Sequence, residues 1–245
     1  VPMFFLGKKN VKYGFLRFEQ DPILNKTLPR RVKHVFHLFE QYSGSHPKVF
    51  KANTLATLLL LEWAKNAGVE TMIYLSSGEV YEKGEKLDEK SKCAPHGFYA
   101  TTKYQAEKLL PFYQRVFRIK TVRVFFPFGA ALEQGYVYEL ADAIRHGNGF
   151  NAKYRSITPT FIDDAVGPMI KVRDQQDTDI FNICGSTVEV DDFIDVIAQV
   201  MQTSHQKIEP GKHNLVGNNN LAKERLGYSE TALNKALETS FEHFK

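Results

Sequence analysis

Cysteine is scarce in this chain of 245 residues: Cys93 and Cys184 sit in unrelated segments without metal spacing. That excludes a disulfide framework and suits free thiols in a reducing, cytoplasmic setting. Long hydrophobic runs are missing. The most apolar stretch, Leu58 to Leu61, is far too short to span a bilayer, and no signal-peptide pattern opens the chain. No block of like charge occurs; with a net charge of +4 and scattered lysines there is no stripe for nucleic acid. Repeats and low-complexity linkers are absent. The chain opens on Val1 rather than Met, so a natural start that is missing or processed is expected.

At 43% apolar and 24% charged residues, the remainder is ordinary soluble globular material. The length suits one large α/β domain, or a domain with a small appendage. Strand-like runs fall at residues 11–18, 33–39, 71–75, 121–126 and 179–183. Helical patterns lie between them. Residues 53–67 carry Leu55, Leu58, Leu59 and Trp63 on one stripe, and 99–117 carry Ala106, Leu109, Leu110 and Phe117. Further helices are expected at 137–146, 163–172, 190–201 and 230–244, the last with Ser229 as N-cap. Strands alternating with helices imply a parallel sheet covered on both faces. The expected fold is a Rossmann-like α/β domain over residues 1–130 and 176–204, with a smaller substrate lobe over 131–175 and 205–245.

Two motifs stand out. Leu75-Ser76-Ser77-Gly78-Glu79-Val80-Tyr81 reads as a buried strand ending in hydroxyls, and Tyr99 follows Ser77 by 22 residues, with Lys103 four positions later. Residues at i and i+4 share one helix face. A free tyrosine ionises near pKa ~10, so a lysine one turn on is expected to favour the phenolate. Ser, Tyr and Lys gathered at the carboxyl end of a strand can move a proton at a carbinol. The alternative is a surface lysine beside a half-buried ring.

These residues resemble the extended short-chain dehydrogenases/reductases, specifically the NAD-dependent epimerase/dehydratases of nucleotide sugars. Val35-Phe36-His37-Leu38 resembles that family's "HLA" strand, and Asn53-Thr-Leu-Ala-Thr57 its "N-x-x-G-T" helix start. Ser76-Ser77-Gly-Glu79-Val80-Tyr81 resembles "SSxxVYG", and Pro95 precedes a "Y-x-x-x-K". Val122-Arg123 through Phe128-Gly129, Pro159-Thr160-Phe161-Ile162-Asp163-Asp164 and Phe181-Asn182-Ile183-Cys184-Gly185 resemble later motifs, in family order. The resemblance implies an NAD or NADP cofactor met by His37, Leu38, Asn53, Ser76, Tyr99, Lys103 and Lys8. It implies a nucleotide-sugar substrate met by Ser77, Glu79, His96, Arg123 and Phe126. Tyr99 is then the proton acceptor, Ser77 orients the same oxygen, and Lys103 holds the nicotinamide ribose. Glu79 stands where dehydratases and decarboxylases use an acid; the alternative is a solvated loop glutamate. His37 is expected to pack under the cofactor, His96 to touch substrate or be simply exposed. Arg123 is expected to grip a phosphate or to close a strand against an acidic neighbour. Asn53 is otherwise an ordinary helix cap, and Asp163 and Asp164 are expected to cap a helix. No metal, nucleic acid or membrane is implied. A homodimer is implied, built on the 99–117 helix and the helix before it.

Departures from the pattern are specific. No G-x-x-G-x-x-G turn lies in the chain, although such a turn normally holds the pyrophosphate. Residues 2–9 resemble the family's second strand, which leaves the first strand and helix unaccounted for. The weaker alternative makes residues 3–6 the first strand, with Gly7 and Gly14 as a degenerate turn. Phe39 and Glu40 replace small residues and would crowd and repel a pyrophosphate. Phe126 and Phe128 replace an asparagine and a tyrosine, and Arg155 is the nearest stand-in for an arginine. Lys8 and Lys9 favour NADP, or form a solvated turn. Two readings follow: an enzyme of epimerisation, dehydration or 4-keto reduction, or a catalytically inactive relative serving as a binding or assembly subunit.

Overall fold

The computed structural model describes residues 28–29, 31–130, 132–177, 179–205 and 207–241. The strand expected at 11–18, the second-strand resemblance at 2–9 and the cofactor role of Lys8 lie outside them. In chain order the first half contains β1 (His34–His37), α1 (His46–Phe50), a π-helical turn (Lys51–Leu55), α2 (Ala56–Ala67), β2 (Thr71–Ser77), β3 (Gly84–Leu87), α3 (Phe98–Leu109) and β4 (Arg118–Val124). Then come β5 (Pro127–Phe128), α4 (Tyr136–His146), β6 (Tyr154–Ile157), β7 (Thr160–Phe161), α5 (Ile162–Val172), β8 (Ile180–Ile183), β9 (Val188–Glu189), α6 (Val190–Val200), β10 (His213–Gly217), α7 (Asn220–Leu226) and α8 (Leu233–Phe241).

The main sheet is wholly parallel, in the order β1-β2-β4-β8, with Thr71 opposite both His34 and Arg118 and Thr121 opposite Ile180. Strand side chains alternate between faces, which decides the packing. Met72, Tyr74 and Ile119 face α2 and α3, against Leu61, Trp63 and Ala106. Ile73, Val122 and Val124 face the other way, against Ala165, Met169 and Val172 of α5 and Ala222 and Leu226 of α7. Each fully buried Leu, Ile or Met contributes about 1.5–3 kcal/mol over exposure, so α2, α3, α5 and α7 are clamped to the sheet. Gly68 ends α2 with φ +70°, a left-handed turn that glycine takes without a Cβ penalty.

A second sheet, β3-β10-β6-β9, has β10 parallel to β3 and β6, and β9 antiparallel to β6. Leu140, Phe193, Ile197 and Leu237 join α4, α6 and α8 to it in one core. The expected boundaries shift accordingly. α5, assigned from sequence to the lobe, lies on the main sheet, while α6 and β3, assigned to the main domain, pack in the lobe. The helix expected over 99–117 stops at Leu109, followed by a 3-10 turn over Leu110–Phe112; Pro111 has no N–H to continue the ladder. The last helix begins at Leu233, too far along for Ser229 to cap it. Among the described residues no helix is long and apolar enough to cross a membrane.

Candidate active site at the carboxyl end of the main sheet

β2 ends in Ser76 and Ser77, whose side chains part because successive residues face opposite ways. Ser77 caps the 3-10 turn Gly78–Val80 by accepting the Glu79 amide at 3.1 Å. Gly78 lies flat on Phe125: a Cβ there would fall 2.4 Å from the ring. The tight turn drives Glu79 inward, where it is buried. Tyr154 donates its hydroxyl to Glu79 Oε2 at 3.2 Å, and Tyr42 lies beside the same carboxylate. Burial pushes the Glu79 carboxyl above its ordinary value, opposed by the Lys153 cation and the tyrosine hydroxyls. The solvated-loop alternative is therefore overturned.

α3 starts after Gly97 and puts Tyr99 and Lys103 on one face. Lys103 is almost wholly buried, donating to the Leu75 carbonyl at 2.6 Å and to Glu40 Oε2 at 3.1 Å, and lying 4.8 Å above the Tyr74 ring. A buried ammonium costs several kcal/mol unless paired, and these partners offset that cost. Burial works to lower its pKa, but Tyr74 and Glu40 outweigh it and the net shift is upward. Tyr99 donates to the same Glu40 Oε2 at 2.9 Å, its ring 4.6 Å from that of Tyr42.

Against expectation, Lys103 does not favour a Tyr99 phenolate in this arrangement, because it is paired with Glu40. Burial, then the Glu40 and Glu79 carboxylates, hold the Tyr99 phenol well above its ordinary value. Glu40 sits between tyrosine and lysine, pairing with the cation and accepting the hydrogen bond of the neutral phenol.

Other expected site residues fall into supporting roles. Arg123 reaches Glu107 through Nε at 3.0 Å and Nη2 at 2.6 Å, and stacks 4.7 Å over Tyr81. It closes the strand against an acidic neighbour and is not free to grip a phosphate. Ser76 donates to Glu107 at 2.5 Å, which turns it from the expected cofactor side toward α3. Asn53 does not cap a helix: it sits within the π-helical turn. Its amide donates to Gln41 O and Thr102 Oγ1 at 3.1 and 2.9 Å, and its oxygen accepts from Gln41 N at 2.9 Å. His37 is buried 2.8 Å from Thr57 Oγ1; burial, then Lys103, lower its pKa to about 3. Because Thr57 spends its one proton on Asn53 O, His37 Nε2 is the donor. Phe126, at φ +42°, is buried among Tyr136 and Tyr154 at 5.3 and 5.2 Å. Leu38 and His96 are exposed. Asp164 accepts from the Thr231 amide and hydroxyl instead of capping α5.

Sequence reasoning noticed Glu40 only as a repulsive charge; its position just past a strand's carboxyl end was the available signal. Glu107, four positions after Lys103, shares its helix face and was equally accessible. Tyr42 and Tyr154 come from distant loops and lobe strands and left no local signal. A separate cavity of about 430 Å³, bordered by Phe161, Asp164, Tyr228 and Glu230, does not include this cluster. Among the described residues no group of three His, Cys, Asp or Glu could hold a metal ion.

A wholly parallel sheet covered on both faces by helices, with Tyr99 and Lys103 meeting Glu40 near its carboxyl end, defines a Rossmann-like α/β protein. Residues 18–184 match the sequence model of the NAD dependent epimerase/dehydratase family, and the chain belongs to that family. An uncharacterized protein of Methanocaldococcus jannaschii is 25% identical over 219 residues, which are 82% of this chain and 67% of that protein. Among solved structures, an epimerase of Methanothermobacter thermautotrophicus superposes with TM-score 0.82 at 19% identity, covering 97% of this chain and 79% of that one. UDP-glucose 4-epimerase of Thermotoga maritima, solved with UDP-glucose, gives 0.73 at 23% identity, over 91% and 79% of the two chains. RMD of Pseudomonas aeruginosa, complexed with NADPH, gives 0.77 at 19%, over 98% and 92%. At these identities the likeness establishes the shared fold.

Proposed function

We propose that this chain is an NAD(P)-dependent nucleotide-sugar epimerase/dehydratase or 4-keto reductase, acting through Ser77, Tyr99 and Lys103 at a sugar carbinol. The observation that carries this reading is the meeting of Tyr99, Lys103 and the buried Glu79 at the end of β2. The donor set fits the ribose end of a nicotinamide cofactor: the Lys103 ammonium donates to hydroxyl oxygens, and the Glu40 carboxylate accepts hydroxyl hydrogens. When bound, the cofactor supplies reversible uptake of hydride from carbon. Tyr99 takes the proton of the carbinol hydroxyl, and Ser77 hydrogen-bonds the same oxygen to fix its direction. Glu79, whose carboxyl burial pushes above its ordinary value, serves as a second acid–base group next to the ketone. We also infer a homodimer through α2 with the π-helical turn before it, and α3 with the turn after it, where Leu55, Phe98, Phe112 and Val116 are exposed.

A second reading, favoured by Glu40, is a family member without cofactor. That carboxylate opposes a pyrophosphate and already satisfies Lys103. Turnover separates the two. Incubation with NAD or NADP and UDP-glucose or UDP-glucuronic acid is expected to yield an altered sugar by chromatography, and Tyr99→Phe to slow it by about 10²-fold or more. A folded Tyr99→Phe protein that turns over like the parent rules out Tyr99 as the proton acceptor.

A further inference from the structure

Tyr99 poses a chemical problem. Its phenol is neutral and donates its hydrogen to Glu40 Oε2 at 2.9 Å, while the ammonium that should ionise it is paired to that same oxygen at 3.1 Å. A neutral phenol is a weak base, yet its oxygen keeps lone pairs for a second hydrogen. The loop that carries Glu40 is not loosely placed. Asn53 bonds the next residue, Gln41, through both amide and carbonyl, and ties it to Thr102 on α3, the helix of Tyr99 and Lys103. Glu40 is thus anchored to the helix that it serves, with only 17% of its side chain exposed. The groups facing it are Lys103 and Tyr99 from α3, Tyr74 from β2 and Glu79 from the following turn, so one cation faces two carboxylates and two phenols.

We propose that Glu40 acts through Tyr99 as the terminal proton acceptor, so that the proton passes along a relay from substrate hydroxyl to Tyr99 to Glu40. This rests on the functional reading above. The carbinol O–H bond breaks as a new O–H bond forms on the Tyr99 oxygen. In the same event the original phenolic O–H breaks and its proton bonds to Glu40 Oε2. The carbinol carbon gives up its hydride to an oxidised nicotinamide, so a carbonyl forms. Tyr99 ends as it began, a neutral phenol, and Glu40 ends as a neutral acid beside the Lys103 cation. Reduction returns the proton along the same path. Glu40 is a positioning residue in this scheme: it sets the direction and the destination of the Tyr99 proton without touching substrate.

The relay and a simple phenolate base predict opposite effects of removing the carboxylate. In Glu40→Gln, Lys103 is released to act on Tyr99 alone. If a phenolate were the working base, the variant would react as fast as the parent or faster. On the relay, the variant loses its acceptor. Single-turnover oxidation of UDP-glucose with NAD is then expected to fall about tenfold or more, with the acid limb of its pH–rate profile moved to higher pH. Glu40→Asp is expected to restore part of the rate. In the protein without cofactor, ¹³Cζ-labelled tyrosine, assigned with Tyr99→Phe, is expected to show Tyr99 titrating at lower pH in Glu40→Gln than in the parent. An unchanged Tyr99 titration, or a Glu40→Gln protein as fast as the parent, overturns the relay and leaves the functional reading standing. A parent protein that binds no nicotinamide and converts no sugar overturns that reading, and the relay with it.

Discussion

His37 shows how one buried side chain writes pH into stability. Its imidazole is sealed against Thr57 and Tyr74 and stays neutral, with a folded pKa of about 3 against an ordinary 6.5. The unfolded chain therefore binds the extra proton between those values. Stability from this group is complete above pH ~6.5 and falls as pH drops, at about 1.4 kcal/mol per unit. Unfolding by urea across pH 7 to 4 is expected to show the parent losing ground to His37→Gln at that slope, since glutamine keeps a donor for Thr57 without titrating. Parallel curves for the two proteins refute a buried neutral His37. Arg123 and Glu107 make the contrasting case. Both are buried and bidentate, so their worth lies in mutual satisfaction, and taking away either partner strands the other charge at a cost of about 3–5 kcal/mol.

At the scale of elements, α2 and α3 have two kinds of surface. Their inner faces clamp the sheet, while Phe98 at the start of α3, Leu55 in the π-helical turn before α2 and Phe112 in the 3-10 turn after α3 are exposed, Phe112 at 80%. A homodimer through these helices predicts a dimer in sedimentation at micromolar concentration and a monomer for Phe112→Glu; a monomeric parent contradicts the pairing. The same elements show what sequence alone could give. β1, β2, β4 and β8 were legible as short apolar runs, and α2, α4, α5 and α6 from 3.6-residue periodicity. Pro111 was the readable stop to α3 that the apolar stripe through Phe117 concealed. The π-helical turn was not legible, because Asn53 reads as a cap until its partners, Gln41 and Thr102, are brought to it by tertiary packing. Nor was the sharing of elements between layers: β3 pairs with β10 more than a hundred residues later, a contact that no local pattern encodes. Near the end of β2, the placing of Tyr99 and Lys103 on one helix face was readable from their spacing. The partner of the Tyr99 hydroxyl was not, because Glu40 reaches it across 59 residues of chain.

The whole molecule balances a retained device against an altered surround. The chain belongs to the epimerase/dehydratase family and folds its parallel sheet accordingly, while Glu40 brings a negative charge to the place where the proposed function requires a dinucleotide to approach. Burial has kept the Tyr–Lys pair at a cost, since Lys103 is sealed from water and survives only through its partners. A structural remnant gains nothing from such an expense, whereas a site that must hold a ribose and direct a proton does. Calorimetric titration of this chain with NAD, NADH, NADP and NADPH, with Tyr99→Phe alongside, tests that account most directly. Micromolar binding of one of the pairs, retained in Tyr99→Phe, is the predicted result. A folded protein that binds none of the four contradicts it and makes the cluster a relic of packing.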